Sequence, residues 1–175
     1  QGRDSAQGFG QKSDFKPFLV YQDKGSRRNH YVPSGFMPNG KCLGINDRWQ
    51  KGCYEGDTCI KIVYDVECSE NDQGWAGIYW MHPDNNWGTR KGGYDLGGAT
   101  KMTFWAIGQK GGERIEEFKI GGIEGEYPDT DRAFIGPVIL SVEGRVYTID
   151  VRGKDLSRIS GGCSRTTNSN VNPSG

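Results

Sequence analysis

Gly74 to His82, GWAGIYWMH, is the stretch on which the fold turns. Successive side chains of an extended chain point to opposite sides. Read as a strand, the stretch puts Ala76, Ile78, Trp80 and His82 on one face and Trp75, Gly77, Tyr79 and Met81 on the other. Both faces carry rings. Upstream, Cys59 to Val66 (CIKIVYDV) alternates in the same way, with Ile60, Ile62, Tyr64 and Val66 opposed to Cys59, Lys61, Val63 and Asp65. Downstream, Lys101 to Ile107 (KMTFWAI) opposes Met102, Phe104 and Ala106 to Thr103, Trp105 and Ile107. Further strands are expected over Ile115 to Ile123, Phe134 to Val142, Arg145 to Val151 and Ile159 to Thr166. Asn29 to Met37 reads as an extended piece interrupted by Pro33, and Phe18 to Tyr21 as a short apolar run. Asn39 to Gly56 and the turn-rich Pro83 to Gly98, which carries Trp87 and Tyr94, read as loops. No segment shows the 3, 4 and 7 spacing of an amphipathic helix. About eight strands between Gly-rich turns predict an all-β protein, an antiparallel β-sandwich of jelly-roll type.

Composition narrows the function classes. The chain has 175 residues, the size of one domain. Residues 1–16 (QGRDSAQGFGQKSDFK) are polar and without period, so a flexible leader is expected there and an ordered domain over 17–175. The opening at Gln1 is expected of a trimmed product. No apolar run approaches the roughly 18 residues of a membrane span. Lys plus Arg total 22 and Asp plus Glu total 22, so no basic excess points to nucleic acid. Five Trp and eight Tyr in an otherwise polar chain must form a core or a contact surface.

Cys42, Cys53, Cys59 and Cys68 cluster, at spacings that lack the close pair a zinc site needs. They are candidates for one or two disulfides, with the pairing open, and they predict an oxidising setting: secreted, periplasmic or cell surface. Cys163 stands apart and reads as a small buried residue in a strand.

Catalytic sets are poorly represented. Glu116 and Glu117 are adjacent on an expected strand and so face opposite ways. Glu124 and Glu126 fall in an expected loop. The two histidines, His30 and His82, lie in no nucleophile motif, and GGERIEE and GGIEGE lack the features of a phosphate loop. Loop carboxylates Asp23, Asp129 and Asp131 are candidate ligands for a structural calcium, although turn chemistry explains each equally well. The rings are the better clue. Sugar C–H faces pack on Trp and Tyr while polar neighbours bond the hydroxyls. If Ala76, Ile78 and Trp80 face inward, Trp75 and Tyr79 lie outside the core, and Trp105 does likewise in its own strand. Either these rings bind a ligand, or the loop Pro83 to Gly98 or a second layer covers them.

The segment GWAGIYWMHPDNNWGTRKGGYDLGGATKMTFWAIGQKGGE (Gly74 to Glu113) resembles bacterial exported jelly-roll domains described as carbohydrate-binding-module-like, within the galactose-binding-domain-like group. YVPSGFM (Tyr31 to Met37), GDTCIKIVY (Gly56 to Tyr64) and YTIDVRGKDLSRISGG (Tyr147 to Gly162) agree in the same order. The resemblance implies a two-sheet jelly roll, an accessory domain of a larger exported protein, and binding in place of catalysis. Two features depart from it. The family closes with a strand of the kind F-Y-L-D-D-I, whereas this chain ends Asn172-Pro173-Ser174-Gly175, so a final strand is expected to be missing. Cys163-Ser164-Arg165 stands where an apolar pattern belongs. The expectation is therefore a non-catalytic carbohydrate-binding domain, with Trp75, Tyr79 and Trp105 as platform and His82, Asn86, Trp87 and Arg90 as rim. The alternative is an assembly subunit that contacts another protein through exposed aromatics and an open sheet edge.

Overall fold

Eleven strands and one 3-10 turn make up the computed structural model, which describes residues 15–38, 40–65, 67, 68 and 75–168, with side chains as far as residue 162. The strands are β1 (Val32–Pro38), β2 (Leu43–Trp49), β3 (Cys59–Tyr64), β4 (Trp75–Met81), β5 (Lys101–Ala106) and β6 (Arg114–Ile115), then β7 (Glu117–Gly121), β8 (Arg132–Ile135), β9 (Val138–Ile139), β10 (Arg145–Asp150) and β11 (Gly161–Asn168). All pairings are antiparallel. Five strands form one sheet in the order β1-β4-β11-β7-β8, and three ribbons, β10-β5, β2-β3 and β6-β9, complete the molecule. The protein is all-β, as the alternation predicts. The expected leader lies largely, and the chain end beyond Asn168 wholly, outside the described residues, as does the Cys163 side chain.

The alternation explains the main core. On β4, Ile78 and Trp80 point to the side where the ribbons pack, and Ile120 and Phe118 of β7 join them. The β5-β10 ribbon closes over them: Phe104 stacks on Phe118 with ring centroids 3.6 Å apart, and Tyr147 stacks on Phe104 at 5.2 Å. Ile149 and Met102, opposite each other in the ribbon, are buried beside them. The β2-β3 hairpin adds Leu43, Ile45, Ile60 and Ile62 at the margin. Each such side chain taken fully out of water contributes about 1.5–3 kcal/mol.

Three expectations need correction. Asn39 to Gly56 is not all loop: Leu43, Ile45 and Trp49 alternate with exposed residues, and β2 pairs through Ile45 with Ile62 of β3. Phe134 to Val142 is not one strand: β8 ends at Ile135 and β9 begins at Val138, with Gly136-Pro137 between them. Pro137 lacks the N–H a continuous ladder would use. Ile115 to Ile123 is likewise not one strand: β6 ends at Ile115, and β7 runs from Glu117 to Gly121. The short apolar run Phe18 to Tyr21 forms a strap, held where the Val20 carbonyl accepts N–H groups from His30 and Tyr31, each at 3.1 Å. The clustered cysteines form two disulfides, Cys42–Cys68 and Cys53–Cys59.

Candidate functional site

The expected sugar platform separates into two surfaces that look away from each other. Tyr79 and Met81 point to the side of the five-stranded sheet opposite the ribbons, where they form a second apolar cluster with Ile123 and Met37. Trp105 points outward from a ribbon on the other side of the core.

The Tyr79 surface is covered. Tyr79 is only 3% exposed and Met81 0%. Trp87 lies edge-on to the Tyr79 ring, with centroids 5.6 Å apart. The loop that carries Trp87 is built to hold it there. Asn86, 0% exposed, donates from Nδ2 to the Arg90 carbonyl at 2.9 Å and accepts the Arg90 N–H at its Oδ1. Trp87 Nε1 donates to Asn85 Oδ1, and the Asn85 N–H donates to Ser34 Oγ at 2.7 Å. Arg90 donates to the Asp84 carbonyl and ion-pairs with its carboxylate at 3.5 Å. Glycine is required beneath and beside this lid. A Cβ on Gly35 would stand 2.7 Å from the Trp87 ring. At Gly88 φ is +79°, and a Cβ would collide with the Glu124 carbonyl oxygen. Tyr79, Asn86, Trp87 and Arg90 are thus parts of a cover and what it covers, because the loop satisfies its own polar groups. Trp75, half-buried, opens β4 on this same face. Lys119 reaches across it, 5.3 Å from the Tyr79 ring centroid and 3.3 Å from the Glu117 carboxylate. Burial pulls the Lys119 ammonium down, but the Tyr79 and Glu117 contacts outweigh it and hold its pKa above the usual lysine value.

His82 belongs to a ring cluster and not to a rim. Its imidazole packs 4.3 Å from Tyr94 and 6.4 Å from Tyr31, and Nδ1 accepts the Gly93 N–H at 3.3 Å. Burial, and then the proximity of His30, lower its pKa below the ordinary histidine value. His30 sits in the same cluster, its ring tilted by 33° against Phe18 with centroids 4.1 Å apart and its Nδ1 2.6 Å from the Leu19 carbonyl oxygen.

The Trp105 surface is less covered: Trp105 is half-buried, and Thr103, Val146 and Thr148 beside it are exposed. In the β5-β10 ribbon Trp105 faces Val146 and Thr103 faces Thr148 across the register, on the side away from the core. Gly144, at φ +69°, lies so close to the Trp105 ring that any Cβ there would strike it. Tyr54, 62% exposed, stacks on Trp105 with centroids 5.7 Å apart and planes inclined by 19°. It arrives from the loop between β2 and β3. Its only mark in the sequence is its place between Cys53 and Cys59, which sequence reasoning treated as a disulfide question alone.

The carboxylates are committed elsewhere. Asp129 accepts N–H groups from Ser160, Ile123 and Gly161, at 2.5, 3.0 and 3.2 Å. Burial nevertheless raises its pKa above the usual carboxylate value. Asp131 accepts from the Arg132 and Asp155 N–H groups and lies 3.6 Å from Lys154, and these contacts lower its pKa. Asp23 caps its own turn at Gly25 and faces Gly56. The three aspartates expected as calcium ligands are turn anchors, and among the described residues no group of three or more His, Cys, Asp or Glu could hold a metal ion. Glu116 pairs with Arg114 at 2.7 Å, while Glu124 and Glu126 are exposed. Among the described residues no helix is long and apolar enough to cross a membrane. No family model, no curated protein and no solved structure matches the chain.

Proposed function

We propose that this chain is a jelly-roll domain of an exported protein that binds carbohydrate without transforming it, through the surface built on Trp105 and Tyr54. The observation that carries the reading is the near-parallel Tyr54–Trp105 stack, which lies outside the core and beside the outward Thr103 and Thr148. An exposed ring face offers the apolar contact a pyranose C–H face needs, and neighbouring hydroxyls supply directional bonds. Two disulfides favour an oxidising compartment. A five-stranded antiparallel sheet faced by ribbons across one core supports the jelly-roll assignment.

Affinity electrophoresis through gels containing hydroxyethylcellulose, xylan, galactomannan or β-1,3-glucan tests the reading. At least one polysaccharide should retard the protein, and Trp105→Ala should abolish the retardation. Equal mobility in every gel would remove carbohydrate from consideration.

A second reading, contact with another protein through this same surface, draws on the apolar residues around it: Val142 is 55% exposed, Val146 47% and Ile107 41%. Native mass spectrometry separates the two, since this second reading requires a stable complex and the first is satisfied by a monomer.

A further inference from the structure

Tyr54 reaches Trp105 from a stretch with little of its own to hold it. Residues 50–58 contain no strand or helix, and Lys51, Gly52, Tyr54, Glu55, Gly56 and Asp57 are all exposed. A loop of this kind samples many conformations unless something ties it down. The Cys53–Cys59 bond, with a sequence separation of 6, closes a small ring with Tyr54 just inside it. On the far side of the ring, Gly56 lies against Asp23, and Thr58 Oγ accepts the Lys24 N–H at 3.0 Å. The other disulfide, Cys42–Cys68, has a separation of 26 and closes a larger loop around the whole hairpin. The two cross-links therefore restrain different things.

We propose that the Cys53–Cys59 disulfide is a positioning element of the binding surface: it holds Tyr54 on Trp105 so that the two rings present one platform, and opening it releases Tyr54 while Cys42–Cys68 preserves the hairpin. The proposal rests on the carbohydrate reading above. A pre-ordered ring pair loses less freedom when a ligand docks than a ring on a free loop, so the clamp acts on affinity. Cys53 and Cys59 are both half-buried, whereas in the other bond Cys68 is half-buried and Cys42 only 3% exposed. A dithiol reductant thus has access to the small ring. In the exchange its two sulfurs join as a disulfide, and two electrons and two protons pass to the Sγ atoms of Cys53 and Cys59.

Two measurements on the full chain test this: the polysaccharide gels named above, and nuclear Overhauser contacts between the Tyr54 and Trp105 rings. The Cys53→Ser/Cys59→Ser variant should lose the ring-to-ring contacts and bind about tenfold more weakly, the effect of losing one of two stacking partners. Tyr54→Ala keeps both disulfides and should weaken binding by the same factor, while Tyr54→Phe should restore it. If the serine variant fails to fold, the pair Tyr54→Ala and Tyr54→Phe decides. The clamp is overturned if Trp105→Ala abolishes binding but Tyr54→Ala binds like the wild type, or if the ring contacts survive in the serine variant. An unretarded wild type overturns the clamp together with the carbohydrate reading.

Discussion

Tyr79 and Trp105 occupy equivalent places in their strands, each a ring on the side turned away from the main core, and the molecule treats them in opposite ways. Above Tyr79 lies a loop that satisfies its own polar atoms and lowers Trp87 onto the ring. Against Trp105 stacks one more ring, Tyr54, itself 62% exposed. Alternation within a strand says which residues share a face. What covers that face is decided by segments distant in sequence, and the two regions show how far the answers diverge.

The sharpest way to break the comparison is Tyr79→Ala. Emptying the space of a ring 3% exposed should cost about 3–5 kcal/mol, read as a lower urea midpoint with an unchanged slope. A cost below about 1 kcal/mol would mean the cluster under Trp87 is not a packed one. Trp87→Ala, which takes away the cover but leaves the covered rings, should cost about 2 kcal/mol, since Trp87 is 36% exposed and its truncation removes only part of a buried contact.

Acid should loosen the ring cluster of Tyr31 and Tyr94 that holds His82 beside the main core. Burial, and then His30, lower the His82 pKa from its ordinary 6.5, so the unfolded chain takes up this proton at a higher pH than the folded one. Stability is thus fully present above about pH 6.5 and is lost as pH falls from there through the folded pKa, after which the His82 contribution levels off. The raised pKa of Asp129 acts in the opposite sense, so the comparison with His82→Gln is what isolates the histidine contribution. Thermal melts from pH 7.5 to 5.5 should show a falling midpoint, and His82→Gln should flatten the curve. A wild-type midpoint independent of pH over this range and unchanged by His82→Gln contradicts the half-buried, uncharged imidazole. The smallest effect is expected at the outer ring of the other surface: Tyr54→Ala, at a side chain 62% exposed, should change stability by about 1 kcal/mol or less while weakening binding.

Much of this was legible from residue order. The Trp75–Met81, Cys59–Tyr64, Lys101–Ala106 and Arg145–Asp150 strands follow directly from their alternation. Leu43–Trp49 alternates as well, but glycine and cysteine around it mimic a loop, and its partner strand is what makes it a strand. The division at Gly136-Pro137 was visible as residues yet hidden as geometry. At the candidate site Trp105 could be found, because its strand declares an outer face. Tyr54 could not, because its stack depends on a disulfide pairing that spacing leaves open. The loop Pro83 to Gly98 was one of the covers residue order offered for Tyr79; what it did not show is the seat of that cover, where Gly88 meets the Glu124 carbonyl, two positions 36 residues apart in the chain.

The sheet order places β11 between β4 and β7. The β1-β4 pair and the β7-β8 pair each form within their own stretch of chain, but only Gly161–Asn168 joins them, through ladders that run from Met81 to Trp75 on one side and from Lys119 to Glu117 on the other. Contacts that distant in sequence form slowly. A chain delivered amino end first, from a ribosome or through a secretion pore, would present both pairs before the strand that unites them. Up to that point it is two half-sheets with bare facing edges, still slack enough to be threaded. Assembly is thereby deferred until nearly all of the described chain has passed.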